Sequence, residues 1–217
     1  MSKIAVVGGT GHLGHAIAKR LVKAGRQVAI GSRSADSAKK AAEEIGAGVA
    51  YGVNKDVVAG ADFVIVTVPY SAQAGTLSDI REAVGSAIVI DATVPLKPPK
   101  VMRVQLPEAG CAALEARELL GPDVRLVSAF HNVAAHRLAT DDKVECDVLV
   151  FSDDVEARAK AVDLIGEIGL RAIAGGALAN SAAAEALTSI LIFLNKTYSA
   201  DGAGIRFTGL TTAPPIP

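Results

Sequence analysis

Tryptophan is absent from the 217-residue sequence, and aromatic residues make up only 4% of it. Cysteine is also scarce: Cys111 and Cys146 lie far apart and lack the spacing of a metal site. We therefore interpret both as buried thiols in a reducing compartment. Neither charge is in excess, because the formal net charge is -1. Broad attraction to nucleic acid or to an anionic membrane is not expected, and a small-molecule partner is predicted instead.

Targeting signals and long apolar runs are lacking as well. The first residues do not combine a basic region with a long apolar run and a cleavage site, so a cytoplasmic location is expected. The most apolar late stretch, Ala182–Leu194, is interrupted by Glu185 and is too short to span a bilayer. We expect this stretch to form a buried helix, and we predict no membrane partner.

Small and aliphatic residues are abundant: half of the chain is hydrophobic and 21 residues are glycine. Lys3–Val7 is predicted to be a strand, a helical pattern starts near Leu13 and stops at Gly25, and Gln27–Gly31 is predicted to be the next strand. This is a βαβ unit, which is typical of parallel sheets covered by helices.

The alternation of strands and helices continues along the chain. The next predicted strands are Val49–Tyr51, Phe63–Val68, Ala87–Ile90 and Arg125–Ala129. The helices predicted between them are Asp36–Ile45, Lys55–Val58, Ala72–Val84 and Glu108–Leu120. The longest irregular stretch, Pro95–Pro107, is predicted to border a site.

A glycine-rich loop follows the first predicted strand. It has the pattern G-x-G-x-x-G and consists of Gly9, Thr10, Gly11, His12, Leu13 and Gly14. Its place between a strand and a helix predicts a dinucleotide site, in which Gly9 permits the tight turn, Gly11 lets the pyrophosphate approach and Gly14 allows close packing. A purely structural glycine turn is the alternative.

The expected fold is α/β, a Rossmann-type doubly wound parallel sheet with a smaller C-terminal α/β region. We place the boundary where the sequence becomes polar, after residue 145. Residues 1–145 would form the dinucleotide-binding domain and residues 146–217 the C-terminal domain. The latter is predicted to contain Asp147–Phe151, Val155–Ile168, Arg171–Ala174 and Asn180–Thr197 as strand, helix, strand and helix, before a disordered end at Ala213–Pro217.

The residues at the end of the second strand indicate which dinucleotide binds. An enzyme specific for NAD would normally carry Asp or Glu there to bind the ribose 2′-hydroxyl. This chain has Ser32 and Arg33 instead, and a guanidinium and a hydroxyl suit the 2′-phosphate of NADP. The alternative is that Arg33 is a solvated surface residue.

With these motifs in place, the chain resembles the NADPH-dependent reductases of coenzyme F420, also called F420H2:NADP oxidoreductases. The specific likeness lies in later segments, namely Val66-Thr67-Val68-Pro69, Val94-Pro95, Ser128-Ala129-Phe130-His131, Ala134-Ala135, Ala177-Leu178-Ala179-Asn180-Ser181 and Gly204-Ile205-Arg206-Phe207. The resemblance implies reversible hydride transfer between NADPH and coenzyme F420, an 8-hydroxy-5-deazaflavin.

The resemblance also implies roles for individual residues. NADP contacts would come from Thr10, Gly11, His12, Leu13, Ser32 and Arg33, and the nicotinamide pocket from Val68, Pro69 and Ala135. His131 would lie beside the deazaflavin, whose polar edge would meet the backbone of Ala203 and Gly204. Two positions depart from the pattern of the family: Ser37 stands where a lysine would assist the 2′-phosphate, and His136 replaces a small residue.

No general acid can be identified. A carbonyl or imine reductase needs a proton donor, but the predicted helix after Gly175-Gly176 has no lysine over Asn180–Leu191. A deazaflavin needs less, because backbone amides can stabilise its delocalised charge. We therefore predict no catalytic side chain and no metal, with His131 as the best polar candidate or else a structural histidine. Reduction of another flavin, a quinone, a carbonyl or an imine, and a non-catalytic NADPH-binding module, remain alternatives.

The C-terminal region is also predicted to form a homodimer. The helix Asn180–Thr197 is apolar almost all round, so one of its faces has no obvious partner within a small region. Its terminal segment through Phe207, rich in glycine, is predicted to build the pocket for the hydride acceptor.

Overall fold

A computed structural model describes residues 2–210, in which one eight-stranded sheet is covered by helices. The strands are β1 (Lys3–Val7), β2 (Gln27–Ser32), β3 (Ala50–Val53), β4 (Phe63–Val66), β5 (Ile88–Asp91), β6 (Arg125–Ser128), β7 (Asp147–Phe151) and β8 (Arg171–Gly176). The helices are α1 (His12–Lys23), α2 (Ala35–Ile45), α3 (Asn54–Val58), α4 (Tyr70–Ile80), α5 (Ala112–Leu120), α6 (Ala135–Ala139), α7 (Val155–Glu167) and α8 (Ser181–Tyr198). The predicted disordered end, Ala213–Pro217, lies outside the described residues.

The strands follow the order β3-β2-β1-β4-β5-β6-β7-β8. Strands β1 to β6 are parallel, whereas β7 runs antiparallel to β6 through the pair Ser128 and Phe151, and β8 is again parallel to β7. The predicted Rossmann-type α/β fold is therefore confirmed. The residues after 145 extend the same sheet by two strands, and their division into a separate domain stays a prediction.

Both faces of the sheet are buried. In β1, Ile4 and Val6 pack into one core with α1, α2 and α7, while Ala5 and Val7 pack into the other with α3, α4 and α5. Alternate residues of a strand point to opposite faces, so a sheet covered on both sides requires continuous apolar strands. Cys111 and Cys146 are both buried free thiols, as predicted.

Several boundaries differ from the predicted ones because of local backbone geometry. Strand β4 ends at Val66, so Val68 and Pro69 lie in the turn before α4. Helix α5 begins at Ala112 and not at residue 108, because Gly110 adopts a left-handed φ of 99° that breaks a helix. The short helix α6 has no counterpart in the prediction.

The stretch Ala182–Leu194 lies in a helix, as predicted, but this helix is buried on one face only. Helix α8 buries one face, but Ile190 and Phe193 are 45% and 48% exposed. The segment Leu178–Tyr198 is long and apolar enough to cross a membrane by length and composition alone. An apolar pattern cannot distinguish a buried helix from one with a bare apolar face, because both carry hydrophobic residues all round.

Candidate functional site

The glycine loop joins β1 to α1 in a tight turn held by backbone hydrogen bonds. The amides of Gly8 and Gly9 both donate to the carbonyl oxygen of Gly31 at 3.1 Å, and the Gly11 amide donates to Gly8 O at 2.9 Å. The left-handed residue is Gly8, with φ of 76°. The prediction that Gly9 supplies the turn conformation is therefore corrected by one position.

Gly9 and Gly14 are needed for close packing. A Cβ atom on Gly9 would lie 3.0 Å from both Ile30 Cγ2 and Val6 O. A Cβ atom on Gly14 would lie 2.9 Å from both Gly8 O and Gly9 Cα, and it would collide with Thr67 Oγ1. The loop therefore fits tightly over the sheet, and α1 starts directly at His12 with its N-terminal amides at the carboxyl edge of the strands.

The residues predicted to read the ribose lie at the end of β2, the neighbour of β1 in the sheet. Ser32 is the last residue of β2 and is half-buried, whereas Arg33 is exposed. The next residue, Ser34, caps α2, because its Oγ accepts the Ser37 amide at 3.4 Å. The structure therefore brings Ser32 to the same edge of the sheet as the glycine loop and leaves the Arg33 guanidinium in solvent.

The predicted nicotinamide residues lie in the turn before α4 and at the start of α6, and Val68 is in contact with the glycine loop. Val68 packs against it so closely that a Cβ atom on Gly8 would lie 2.8 Å from Val68 Cγ1. Pro69 is the cap residue of α4 and is exposed. Ala135 begins α6, which packs along α1 and is fixed there by Arg20, whose Nε donates to Leu138 O at 2.7 Å.

The loop after β6 contains the predicted substrate residue His131. The preceding Phe130 is buried with φ of 69°, a costly conformation for a residue with a side chain, and such strain is often found at functional sites. His131 is 5% exposed, its Nε2 lies 2.8 Å from Ser128 Oγ, and its carbonyl oxygen accepts Thr188 Oγ1 at 2.8 Å. Burial lowers the pKa of His131 to about 3, so the imidazole is neutral.

The C-terminal segment is packed against the start of β7. The Ala203 amide donates to Asn195 Oδ1 at 2.7 Å, the Asp147 amide donates to Ile205 O at 2.7 Å, and the Phe207 amide donates to Asp147 Oδ2 at 2.6 Å. A Cβ atom on Gly204 would lie 2.8 Å from Cys146 Cβ. The segment through Phe207 is therefore part of the folded structure.

Ala203 and Gly204 line a cavity of about 290 Å³ together with residues that follow His131. The other lining residues include Asn132, Ala134, Arg137 and Cys146. Within residues 2–210, the Asn132 amide nitrogen is buried without a hydrogen-bond partner. A buried unpaired donor is costly and calls for a partner, so Asn132 is a candidate ligand contact. Its place next to His131 is the one sequence signal that could have indicated it.

A second group of buried polar residues surrounds the end of β5. Asp91 at the end of β5 accepts hydrogen bonds from Gln73 Nε2 at 2.5 Å and from Thr93 Oγ1 at 2.6 Å, and burial raises its pKa. These bonds fix the turn after β5 and leave Asp91 no role in an open pocket. In the described part of the chain, no group of three or more His, Cys, Asp or Glu residues could hold a metal ion.

Comparison with known proteins places this arrangement in context. Residues 3–95 match the family described as NADP oxidoreductase, coenzyme F420-dependent. The chain is 40% identical to the F420-dependent NADP reductase of Methanothermobacter thermautotrophicus, over 96% of this chain and 95% of that protein.

Solved structures share the fold. A protein from Arthrobacter sp., proposed to be an F420-dependent NADP reductase, has a TM-score of 0.83 at 21% identity. The matched region covers 96% of this chain and 100% of the Arthrobacter protein. An imine reductase from Bacillus cereus has a TM-score of 0.66 at 17% identity and covers 92% of this chain and 63% of its own. At these identities the likeness concerns the fold alone.

Proposed function

This chain belongs to the family of coenzyme F420-dependent NADP oxidoreductases, and on that premise we propose which of its residues bind the two substrates. The enzyme transfers a hydride between NADP(H) and coenzyme F420. The observation that carries this conclusion is the identity of 37–40% to F420-dependent NADP reductases over 96% of the chain. The other reductase activities and the non-catalytic module are not favoured.

Mixing the enzyme with NADPH and coenzyme F420 tests this activity directly. The deazaflavin absorbance should fall as NADPH is oxidised, at a rate proportional to the enzyme concentration. Flavin mononucleotide, a quinone and a cyclic imine serve as comparison acceptors. Turnover of one of these without turnover of coenzyme F420 would contradict the assignment.

The proposed NADP site consists of the glycine loop, the end of β2, the turn before α4 and the start of α6. The residues are Gly9, Thr10, Gly11, His12, Leu13, Gly14, Ser32, Arg33, Val68, Pro69 and Ala135. The tight packing at Gly9 and Gly14 holds the loop and α1 close to the sheet, whereas a Cβ atom on Gly11 would meet only Gly8 O, at 3.3 Å, so the open side of Gly11 fits the approach of a pyrophosphate to backbone amides. Val68 and Ala135 would then place the nicotinamide ring near the start of α1.

Arg33→Ala is expected to raise the KM for NADPH about 10-fold or more and to change the KM for NADH little. Loss of a charged hydrogen-bond partner costs about 1.5–3 kcal/mol, and only NADPH carries the 2′-phosphate. Initial rates with both nucleotides measure this. Lys40→Ala, which removes another exposed cation from the adjacent helix α2, is the control and should leave both constants unchanged. Equal effects of Arg33→Ala on NADPH and NADH would refute the assignment.

The proposed site for the hydride acceptor consists of His131, Ala203 and Gly204. Its support is the cavity that Ala203 and Gly204 line together with Asn132; His131 does not itself line this cavity but directly precedes Asn132 in the loop after β6. The deazaflavin supplies a ring carbon that accepts the hydride and a delocalised system that carries the charge. The protein would then align two rings, exclude water and offer polar groups such as Asn132, so no catalytic side chain is assigned.

We also propose a cytoplasmic homodimer formed through the bare face of α8. The exposed residues Ile190 and Phe193 lie near the loop over Met102–Leu106, because Ser189 Oγ donates to Arg103 O at 3.3 Å. Met102, Val104 and Leu106 are also exposed, so helix and loop form one apolar surface. The opposite face of α8 is bound into the fold by polar contacts, which favours a second copy of the chain over a membrane as the occupant.

Phe193→Glu is expected to convert the dimer into a monomer at micromolar concentration, because a charge at the centre of an apolar interface must be desolvated. Light scattering coupled to gel filtration measures the mass. Ser78→Glu on the exposed face of α4 is the control and should remain dimeric. A wild-type protein that is monomeric at the same concentration would count against the dimer.

A further inference from the structure

A chain of buried hydrogen bonds connects His131 to Glu185 on α8. Ser128 Oγ lies 2.8 Å from His131 Nε2 and 2.7 Å from Ser181 Oγ, and Ser181 Oγ lies 2.9 Å from Glu185 Oε1. The carboxyl group of Glu185 also accepts the amides of Ala112 at 2.6 Å and Ala113 at 3.1 Å, at the start of α5. All four side chains in the chain are at most 5% exposed.

The direction of these hydrogen bonds follows from counting protons. An ionised carboxylate only accepts, so Ser181 must donate its single proton to Glu185. Ser181 then accepts at its contact with Ser128, and Ser128 must donate there. With its proton used, Ser128 can only accept from His131 Nε2. A neutral imidazole carries one proton, so Nε2 is protonated and Nδ1 is a bare acceptor.

We propose that Glu185 is a positioning residue for His131: acting through Ser181 and Ser128, it holds the imidazole in the Nε2–H tautomer with Nδ1 as an unprotonated acceptor. Within the described residues, Nδ1 is buried and has no hydrogen-bond partner. It is thus an unfilled acceptor on a strained loop at the carboxyl edge of the sheet. On the proposed function, it would recognise an N–H or O–H group of the deazaflavin.

Helix α8 also anchors the backbone of the same loop. Thr188 Oγ1 donates to His131 O, and Ser181, Glu185 and Thr188 follow the spacing i, i+4, i+7 that places them on one face of a helix. One helix face therefore fixes both the side-chain tautomer and the carbonyl orientation of His131. A residue with a packing role alone would not set the position of a proton.

The protonation state of Glu185 should also control the tautomer of His131. Burial raises the pKa of Glu185 to about 7, and the nearby Asp91 carboxyl adds to this effect. The negative charge of Glu185 also contributes to the raised pKa values of Tyr70 from α4 and of Cys111 just before α5. When the carboxyl gains a proton, it can donate to Ser181, and every bond in the chain then reverses. His131 would accept at Nε2 and carry its proton on Nδ1.

The test is the tautomer of His131, read from proton–nitrogen correlations in protein labelled with ¹⁵N-histidine and assigned with His131→Gln. Wild type at a pH well above 7 should show the Nε2–H form, and the Nδ1–H form should grow below about pH 7. Glu185→Gln should show the Nδ1–H form throughout. Its amide oxygen should stay on the shorter bond to Ala112, so its NH₂ group faces Ser181 and donates, at the expense of the bond that Glu185 accepts from the Ala113 amide at 3.1 Å.

Ser181→Ala covers the case in which Glu185→Gln does not fold, because it cuts the chain and leaves the capped start of α5 intact. The Nε2–H preference should then be lost. The matched control is Ser189→Ala. It removes the hydroxyl of another buried serine of α8 that takes no part in the chain of hydrogen bonds, and it should keep the wild-type tautomer. A wild-type Nδ1–H form above pH 7, or an unchanged tautomer in both Glu185→Gln and Ser181→Ala, would overturn the proposal.

Kinetics separate this proposal from the assignment of the substrate site. Glu185→Gln should raise the KM for coenzyme F420 up to about 10-fold and leave the KM for NADPH unchanged, the scale of one hydrogen bond. If the tautomer reverses and the KM for coenzyme F420 does not change, the hydrogen-bond chain stands and the placement of His131 in the acceptor site is wrong.

Discussion

Gly14→Ala is expected to lower the free energy of unfolding by about 1–3 kcal/mol and to weaken NADPH binding by at least about 10-fold. The added Cβ atom would lie 2.9 Å from Gly8 O and Gly9 Cα and would collide with Thr67 Oγ1. Two of these atoms belong to the backbone of the glycine loop, so the clash cannot be relieved by a rotamer change. The loop must move away from α1, and the nucleotide cradle opens.

Urea unfolding and calorimetric titration with NADPH measure the two effects. Gly75→Ala is the matched control: it also lies within a helix, and a Cβ atom there meets no other atom within 4 Å. This control should raise stability by about 0.5–1 kcal/mol and leave NADPH affinity unchanged. A Gly14→Ala protein that binds NADPH as tightly as wild type would show that the loop does not contact the dinucleotide.

Truncation after Ser199 is expected to abolish most reduction of coenzyme F420 while NADPH affinity persists. The deletion removes Ala203 and Gly204 from the wall of the cavity, together with the hydrogen bonds that Ile205 and Phe207 make with Asp147. None of these hydrogen bonds involves the glycine loop or the end of β2. The acceptor site should therefore be lost and the nucleotide site retained.

A chain ending at Leu210 is the control, because it keeps every contact described for the segment. Circular dichroism establishes that the shorter protein is folded, and calorimetry with NADPH establishes that its nucleotide site is intact. If that truncated protein is destabilised, Gly204→Val provides a milder test, because its side chain would push the segment away from Cys146. Wild-type efficiency with coenzyme F420 in either variant would eliminate this location of the acceptor site.

The elements of the proposed nucleotide site could be predicted from sequence because they are local. Strand β1, the glycine loop and α1 are consecutive in the chain, so their relative positions in the structure follow from their spacing along the sequence. The error within the glycine loop, where Gly8 and not Gly9 is left-handed, arose because adjacent glycines are both able to adopt a positive φ. Which of them does so depends on the hydrogen bonds to Gly31 in the neighbouring strand.

The acceptor half could be predicted only in part. The resemblance indicated His131, Ala203 and Gly204, but the proposed involvement of Asn132 depends on a cavity that brings it together with Ala203, 71 residues later in the sequence. Helix α8 shows the same limit: its composition predicted a helix, but not that Glu185 would face α5 while Phe193 would face solvent. Orientation about a helix axis is decided by neighbours from distant segments.

The sequence by itself determined the α/β class, the succession of the first six strands along the chain, the dinucleotide loop and the family, because each depends on periodicity, on a short motif or on similarity along the chain. Only the tertiary structure decided that the last two strands join the same sheet, that the C-terminal segment packs on Cys146, and that Ser128, Ser181 and Glu185 meet at His131. These facts depend on contacts between residues that are far apart in the sequence, such as the hydrogen bond between Ser128 and Ser181, which are 53 positions apart, and no local pattern encodes such pairings.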